Sequence, residues 1–75
     1  KTNNIYVCDG TFTVTLPSRD SDIGERIEVK NYGTGTITLD PDLGNINGAS
    51  TYQLASGSYV TLMRVQISTN YWITL

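Results

Sequence analysis

The run from Asp22 to Asp40, DIGERIEVKNYGTGTITLD, constrains this chain more than any other stretch. Ile27 and Val29 alternate with Glu28 and Lys30, and beyond a glycine-framed turn Ile37 and Leu39 alternate with Thr36 and Thr38. Successive side chains of a strand point to opposite sides, so this pattern predicts two strands with one apolar and one polar face each. With a short turn between them, the two are expected to pair as an antiparallel hairpin.

The rest of the chain repeats the pattern. Alternation predicts strands at Ile5–Cys8, Thr11–Leu16, Arg26–Asn31, Gly35–Asp40, Thr51–Leu54, Tyr59–Val65 and Tyr71–Leu75, with Ile67 assigned either to the sixth strand or to the turn after it. Turn signals stand between them: Asp9-Gly10, Gly33-Thr34-Gly35, Asp40-Pro41-Asp42, Asn47-Gly48, Ser56-Gly57 and Thr69-Asn70. The glycines are read as supplying positive φ, and the proline as presetting its own. The Ser18–Gly24 segment reads as a polar connection. Phe12, Val14, Leu16, Val60 and Leu62 are the predicted inward groups. Thr11, Thr13, Thr15, Thr36, Thr38, Thr61 and Thr74 form the outward face, where a branched Cβ suits a strand and the hydroxyl meets water. Short strands joined by two to five residues predict an all-β, antiparallel domain spanning residues 1–75.

Size sharpens that expectation. A chain of 75 residues buries only about 60% of the surface its unfolded form exposes, so its own core is marginal. Cys8 is the single cysteine and there is no histidine, which excludes an internal disulfide and leaves too few good ligands for zinc. Association with identical chains is favoured by elimination. Threonine-rich edges resist pairing less than lysine-rich ones and point the same way. Because Lys1 is not an initiator methionine, the chain is expected to be a piece of a longer protein.

Several functions are disfavoured on composition. The net charge is −2, and Lys1, Arg19, Arg26, Lys30 and Arg64 are scattered, so no basic stripe invites nucleic acid. No apolar run approaches the roughly 20 residues of a membrane-spanning helix, and no membrane insertion is expected. A nucleophilic triad lacks its histidine base. Asp20, Asp22 and Glu25 form the closest carboxylate cluster. They lie in a polar turn of a chain too small for a deep cleft, so turn and capping roles are preferred over a glycosidase pair. Asp40-Pro41-Asp42 is likewise read as a turn rather than a calcium loop, since it lacks the ligand spacing of an EF-hand. Cys8 reads as a small, half-buried side chain of the first strand. No catalytic residue, metal or cofactor is assigned.

The aromatic residues are the remaining candidates. Tyr6, Tyr32, Tyr52, Tyr59, Tyr71 and Trp72 combine a large apolar face with a polar edge, which suits sugar faces and protein partners as well as packing. For Tyr52, Tyr59 and Trp72 packing between strands or chains is preferred. Tyr32 sits in a turn where burial is hard. The predicted ligand-binding positions are Tyr32, Thr34, Asn45, Asn70 and Tyr71, in loops 32–34, 42–45 and 69–71 gathered at one end of the domain.

One ordered set of motifs resembles a known family. Val14-Thr-Leu-Pro17, Ile23-Gly24, Ile27-x-Val29-Lys30-Asn31, Gly35-Thr-Ile-Thr-Leu39 with Pro41, Ile46-Asn47-Gly48, Tyr52-x-Leu54, Gly57, Val60-x-Leu62 and Asn70-Tyr71-Trp72 are similar to the small β-structured modules of bacteriophage tail fibres and tailspikes. Related modules occur in bacterial surface fibres. The likeness spans about residues 11–75 and departs at Val65-Gln66-Ile67-Ser68, where the family pattern places an Asp- or Gly-rich turn, so the register of the last hairpin is left open. The resemblance implies a small antiparallel β-sandwich or β-prism, a homotrimer about a fibre axis, placed at the C-terminal tip. It implies a virion or an extracellular bacterial fibre as the location. The work implied is attachment to a cell-surface glycan or receptor, or else trimerisation or capping with no ligand.

Overall fold

The computed structural model describes residues 4–18 and 21–75 except the side chains of Asn4 and Phe12; Lys1, Arg19, Asp20 and the inward direction expected of Phe12 lie outside the described residues. Eight strands follow one another: β1 (Asn4–Cys8), β2 (Phe12–Thr15), β3 (Arg26–Asn31), β4 (Ile37–Asp40), β5 (Asn45–Ile46), β6 (Tyr52–Leu54), β7 (Tyr59–Ile67) and β8 (Asn70–Thr74). They form a five-stranded sheet in the order β1-β3-β7-β8-β5 and a three-stranded sheet in the order β2-β4-β6. The fold is all-β. Period-2 alternation located seven of the strands and missed β5, whose two residues are too few to show a period.

The pairing differs from the antiparallel expectation. β1 runs parallel to β3, β2 parallel to β4 and β5 parallel to β8, while β3–β7, β4–β6 and β7–β8 are antiparallel. From β1 to β7 the chain switches sheet at every step, so strands joined by short loops belong to different sheets. Among the described residues, β7–β8 is the only pair of consecutive strands that also pair with each other. The expected hairpin between β3 and β4 is therefore absent. The burial of β3 and β4 follows their alternation while their pairing does not, because alternation fixes which face is buried and says nothing about which edge is paired.

The apolar faces point as expected. Ile27 and Val29 of β3, Ile37 and Leu39 of β4, Leu54 of β6, and Val60 and Leu62 of β7 are buried together with Cys8, Leu16, Ile46 and Trp72 in one cluster. Val14, Tyr52 and Tyr71 pack against it, half-buried. Thr11, Thr13, Thr15 and Thr36 are exposed, and Thr38, Thr61 and Thr74 half-buried. Cys8 carries a free thiol and is buried rather than half-buried.

Two local features correct the sequence reading. Gly33 and Gly35 do not have positive φ; a Cβ on Gly33 would meet the Asp9 side chain, and one on Gly35 would overlap Thr11 and come within 2.8 Å of the Gly10 carbonyl oxygen. These glycines serve the close stacking of the 33–35 turn on the 9–11 turn, where the β3–β4 and β1–β2 crossings between the same two sheets lie against each other. The last hairpin carries a bulge: Arg64 pairs with Trp72 but Ile67 with Asn70, so β7 has one extra residue there. Ser68 turns the chain at φ 58. The bulge lets Arg64 and Val65, adjacent in sequence, both be buried.

Candidate functional site

At one end of the molecule β3 finishes in Asn31, whose side chain is fully buried. Its Nδ2 donates to the Gly35 carbonyl at 2.8 Å and to the Leu54 carbonyl at 2.9 Å, and its Oδ1 accepts from the Gly33 N–H at 3.2 Å. The Asn31 backbone pairs with Gly57 and Ser58. One amide thus satisfies three backbone groups of a chain leaving one sheet for the other. Directly after it, Tyr32 is 75% exposed, and Thr34 is exposed as well. The Gly33 carbonyl accepts from Ser56 Oγ at 2.7 Å, which ties this turn to the next loop.

The neighbouring ladder adds a second ring. Val7, Lys30 and Tyr59 stand in register on the outward face of the five-stranded sheet. Tyr59 is 66% exposed and Val7 68%. Lys30 Nζ donates to the Gly57 carbonyl at 2.8 Å and lies 5.8 Å from the centre of the Tyr59 ring. Tyr32 follows Lys30 by two residues, just past the end of the same strand, so two exposed rings stand at this corner of the sheet with the Lys30 cation fixed beside Tyr59. Packing was the preferred role for Tyr59, yet its place in Tyr59-Val60-Thr61-Leu62 already puts it out of phase with the core.

The other end is built on a second polar cluster. Ser18 is fully buried; its Oγ donates to the Pro41 carbonyl and accepts from Trp72 Nε1 at 2.9 Å. Arg64, 6% exposed, donates from Nε to the Ser18 carbonyl at 3.2 Å and to Ser21 Oγ at 3.0 Å, and from Nη1 to the Val65 carbonyl. Its guanidinium stacks 4.4 Å from the centre of the Tyr71 ring. Neither Ser18 nor Arg64 was singled out in the sequence. Arg64 follows Val60 and Leu62 in the inward phase, which was the available signal; Ser18 offered none.

Asn45, Asn70 and Tyr71 meet beside this cluster. Asn45 faces Asn70 across β5–β8, its N–H donates to the Thr69 carbonyl at 2.9 Å, and its Nδ2 reaches Thr69 Oγ1 at 3.3 Å. Asn70 Oδ1 accepts from the Gly48 N–H at 2.6 Å. Gly44, at φ 73, passes so close that a Cβ would strike the Tyr71 ring. These side chains are engaged in holding the 42–49 segment to β8. The structure therefore brings three of the five predicted positions together and leaves Tyr32 and Thr34 elsewhere. Asn31 bonds beside the start of β7 and Asn70 lies just beyond its end, eight residue steps or roughly 26 Å of strand away. The loops are not gathered at one end.

The acidic turns are occupied by backbone contacts. Glu25 Oε1 accepts from the Asp22 N–H at 3.4 Å, and Asp40 Oδ1 accepts from the Asp42 N–H at 3.0 Å. Among the described residues no pocket opens and no three metal-ligating side chains cluster. No family model, curated protein or solved structure matches the chain.

Proposed function

We propose that the chain is an attachment module of a phage tail fibre or tailspike, or of an extracellular bacterial surface fibre, acting as a homotrimer that meets cell-surface glycans or receptors. The observation that carries this reading is the corner of Tyr32, Tyr59 and Lys30: two largely exposed rings on a backbone pinned by Asn31, with an ammonium able to meet sugar hydroxyls. Three copies on one rigid tip would raise binding through avidity, with no strong single contact required. The two sheets about one core are compatible with the β-sandwich or β-prism that the family resemblance implies. Binding of the isolated domain to a glycan array, beside Tyr32→Ala and Tyr59→Ala variants, tests the proposal. Loss of signal in both variants is expected; signal unchanged in both would sink the assignment of the corner.

A second reading has its own observation. β1 lies at the edge of its sheet, and Ile5 and Val7 are 65% and 68% exposed on it. Such an edge suits a module that only registers or caps a trimer. Light scattering at micromolar concentration tests the shared premise: a mass three times 8.2 kDa is expected, and a single-subunit mass would defeat both readings. A trimer that binds nothing on the array would favour the second.

A further inference from the structure

Asn47-Gly48 is the only Asn-Gly step in the sequence. The two residues form an exposed turn after β5, with φ of 52 and 83. Glycine after asparagine leaves the peptide nitrogen unshielded, and that nitrogen can attack the side-chain amide carbon whenever the two approach. Every other asparagine of the described residues precedes a bulkier residue, Ile or Tyr.

In the folded chain both reacting groups are held. Asn47 Oδ1 accepts from the Thr74 N–H at 3.1 Å, and Nδ2 donates to Thr74 Oγ1 at 2.9 Å. The backbone donor fixes which way the Asn47 amide points. The attacking nitrogen is engaged as well, since the Gly48 N–H donates to Asn70 Oδ1 at 2.6 Å. The carboxamide is thus clamped along β8 and the nucleophile is tied to a different side chain.

We infer that Asn47 is a site of spontaneous deamidation whose rate is set by the opening of this clamp to Thr74 and Asn70. Hydroxide removes the Gly48 N–H proton; the nitrogen bonds to Asn47 Cγ, the Cγ–Nδ2 bond breaks, and ammonia leaves with a proton from water. Water then opens the cyclic imide at either carbonyl, giving aspartate or isoaspartate with no change of oxidation state. The product gains one negative charge and loses the donor to Thr74 Oγ1. The isoaspartyl form also lengthens the backbone by one carbon beside the Asn47 N–H···Trp72 carbonyl bond of 3.1 Å, loosening β5 from β8.

The test follows the mass gain of about 1 Da at residue 47 by peptide mapping, in the full chain and in a free peptide of residues 43–53 at the same mildly alkaline pH. The folded chain is expected to react at least about tenfold more slowly than the peptide, because reaction waits on local opening. Asn70→Ala and Thr74→Val should each recover much of that difference while their circular dichroism remains that of the folded chain. Hydrogen exchange at the Gly48 amide of the unsubstituted chain serves as a second measurement, expected to be slow. The inference is overturned if the folded chain reacts as fast as the peptide, if both folded variants keep the original rate, or if the Gly48 amide exchanges like that of the free peptide.

Discussion

Asn31 and Ser18 solve one problem at opposite ends of the molecule, and they solve it differently. Each is a fully buried polar side chain where the chain crosses between sheets. Asn31 works largely within its own turn, bonding Gly33 and Gly35 and reaching one distant strand at Leu54. Ser18 works across the chain: its hydroxyl bonds the Pro41 carbonyl and Trp72 Nε1, up to 54 residues away, while its backbone carbonyl accepts from Arg64 Nε. A local solution can be carried by a short motif. A distributed one exists only once several remote segments are in place, and its members should be energetically coupled.

The largest expected effect is at the local end. Asn31→Ala strips a buried amide and leaves the Gly35 and Leu54 carbonyls and the Gly33 N–H without their partner, a loss of about 3 to 4 kcal/mol, read by urea or thermal unfolding. A loss under about 1 kcal/mol would mean that water replaces the amide, and the comparison would fail at that end.

Ser18→Ala should cost less, about 2 kcal/mol, since it orphans the Trp72 indole N–H and frees the Pro41 carbonyl. Trp72 fluorescence should shift with it. A double-mutant cycle then sharpens the contrast. Ser18→Ala with Trp72→Phe, which both remove the one bond between Ser18 Oγ and Trp72 Nε1, should show a coupling of about 1 kcal/mol, whereas Ser18→Ala with Asn31→Ala should be additive within about 0.5 kcal/mol. Equal coupling in the two cycles would erase the distinction between the ends. Smallest of all, Tyr32→Ala and Tyr59→Ala should change stability by no more than about 0.5 kcal/mol, because both rings are largely exposed. A larger loss would show the aromatic corner to be part of the structure and not a surface for partners.

The same contrast explains what the sequence made legible. Ile27, Val29, Ile37 and Leu39 announce their burial by period, and β3 was located to the residue. Partnership was not legible, because Gly33-Thr34-Gly35 reads equally well as a hairpin and as a crossing between sheets; the buried Asn31 amide and the contact with the 9–11 turn decide between them. Tyr32 was recognisable as exposed from its turn. The engagement of Asn45 and Asn70 was not, since an asparagine in a loop reads the same whether it faces solvent or clasps a neighbouring backbone. Arg64 lay hidden because a cation in the inward phase of a strand is rare, and the bulge that accommodates it depends on how β8 is paired.

The shuttling of the chain between layers has a consequence for its synthesis. A protein made of hairpins can zip up as it leaves the ribosome, each strand finding the one before it. Here β1 and β3 share a ladder early, but their next neighbour is β7, and among the described residues the one pair adjacent in sequence, β7–β8, follows all the other strands. The five-stranded sheet stays divided, with β1–β3 apart from β5, until β7 and β8 join its two parts. Assembly of this kind is slow for its size, because its ladders join strands far apart in sequence.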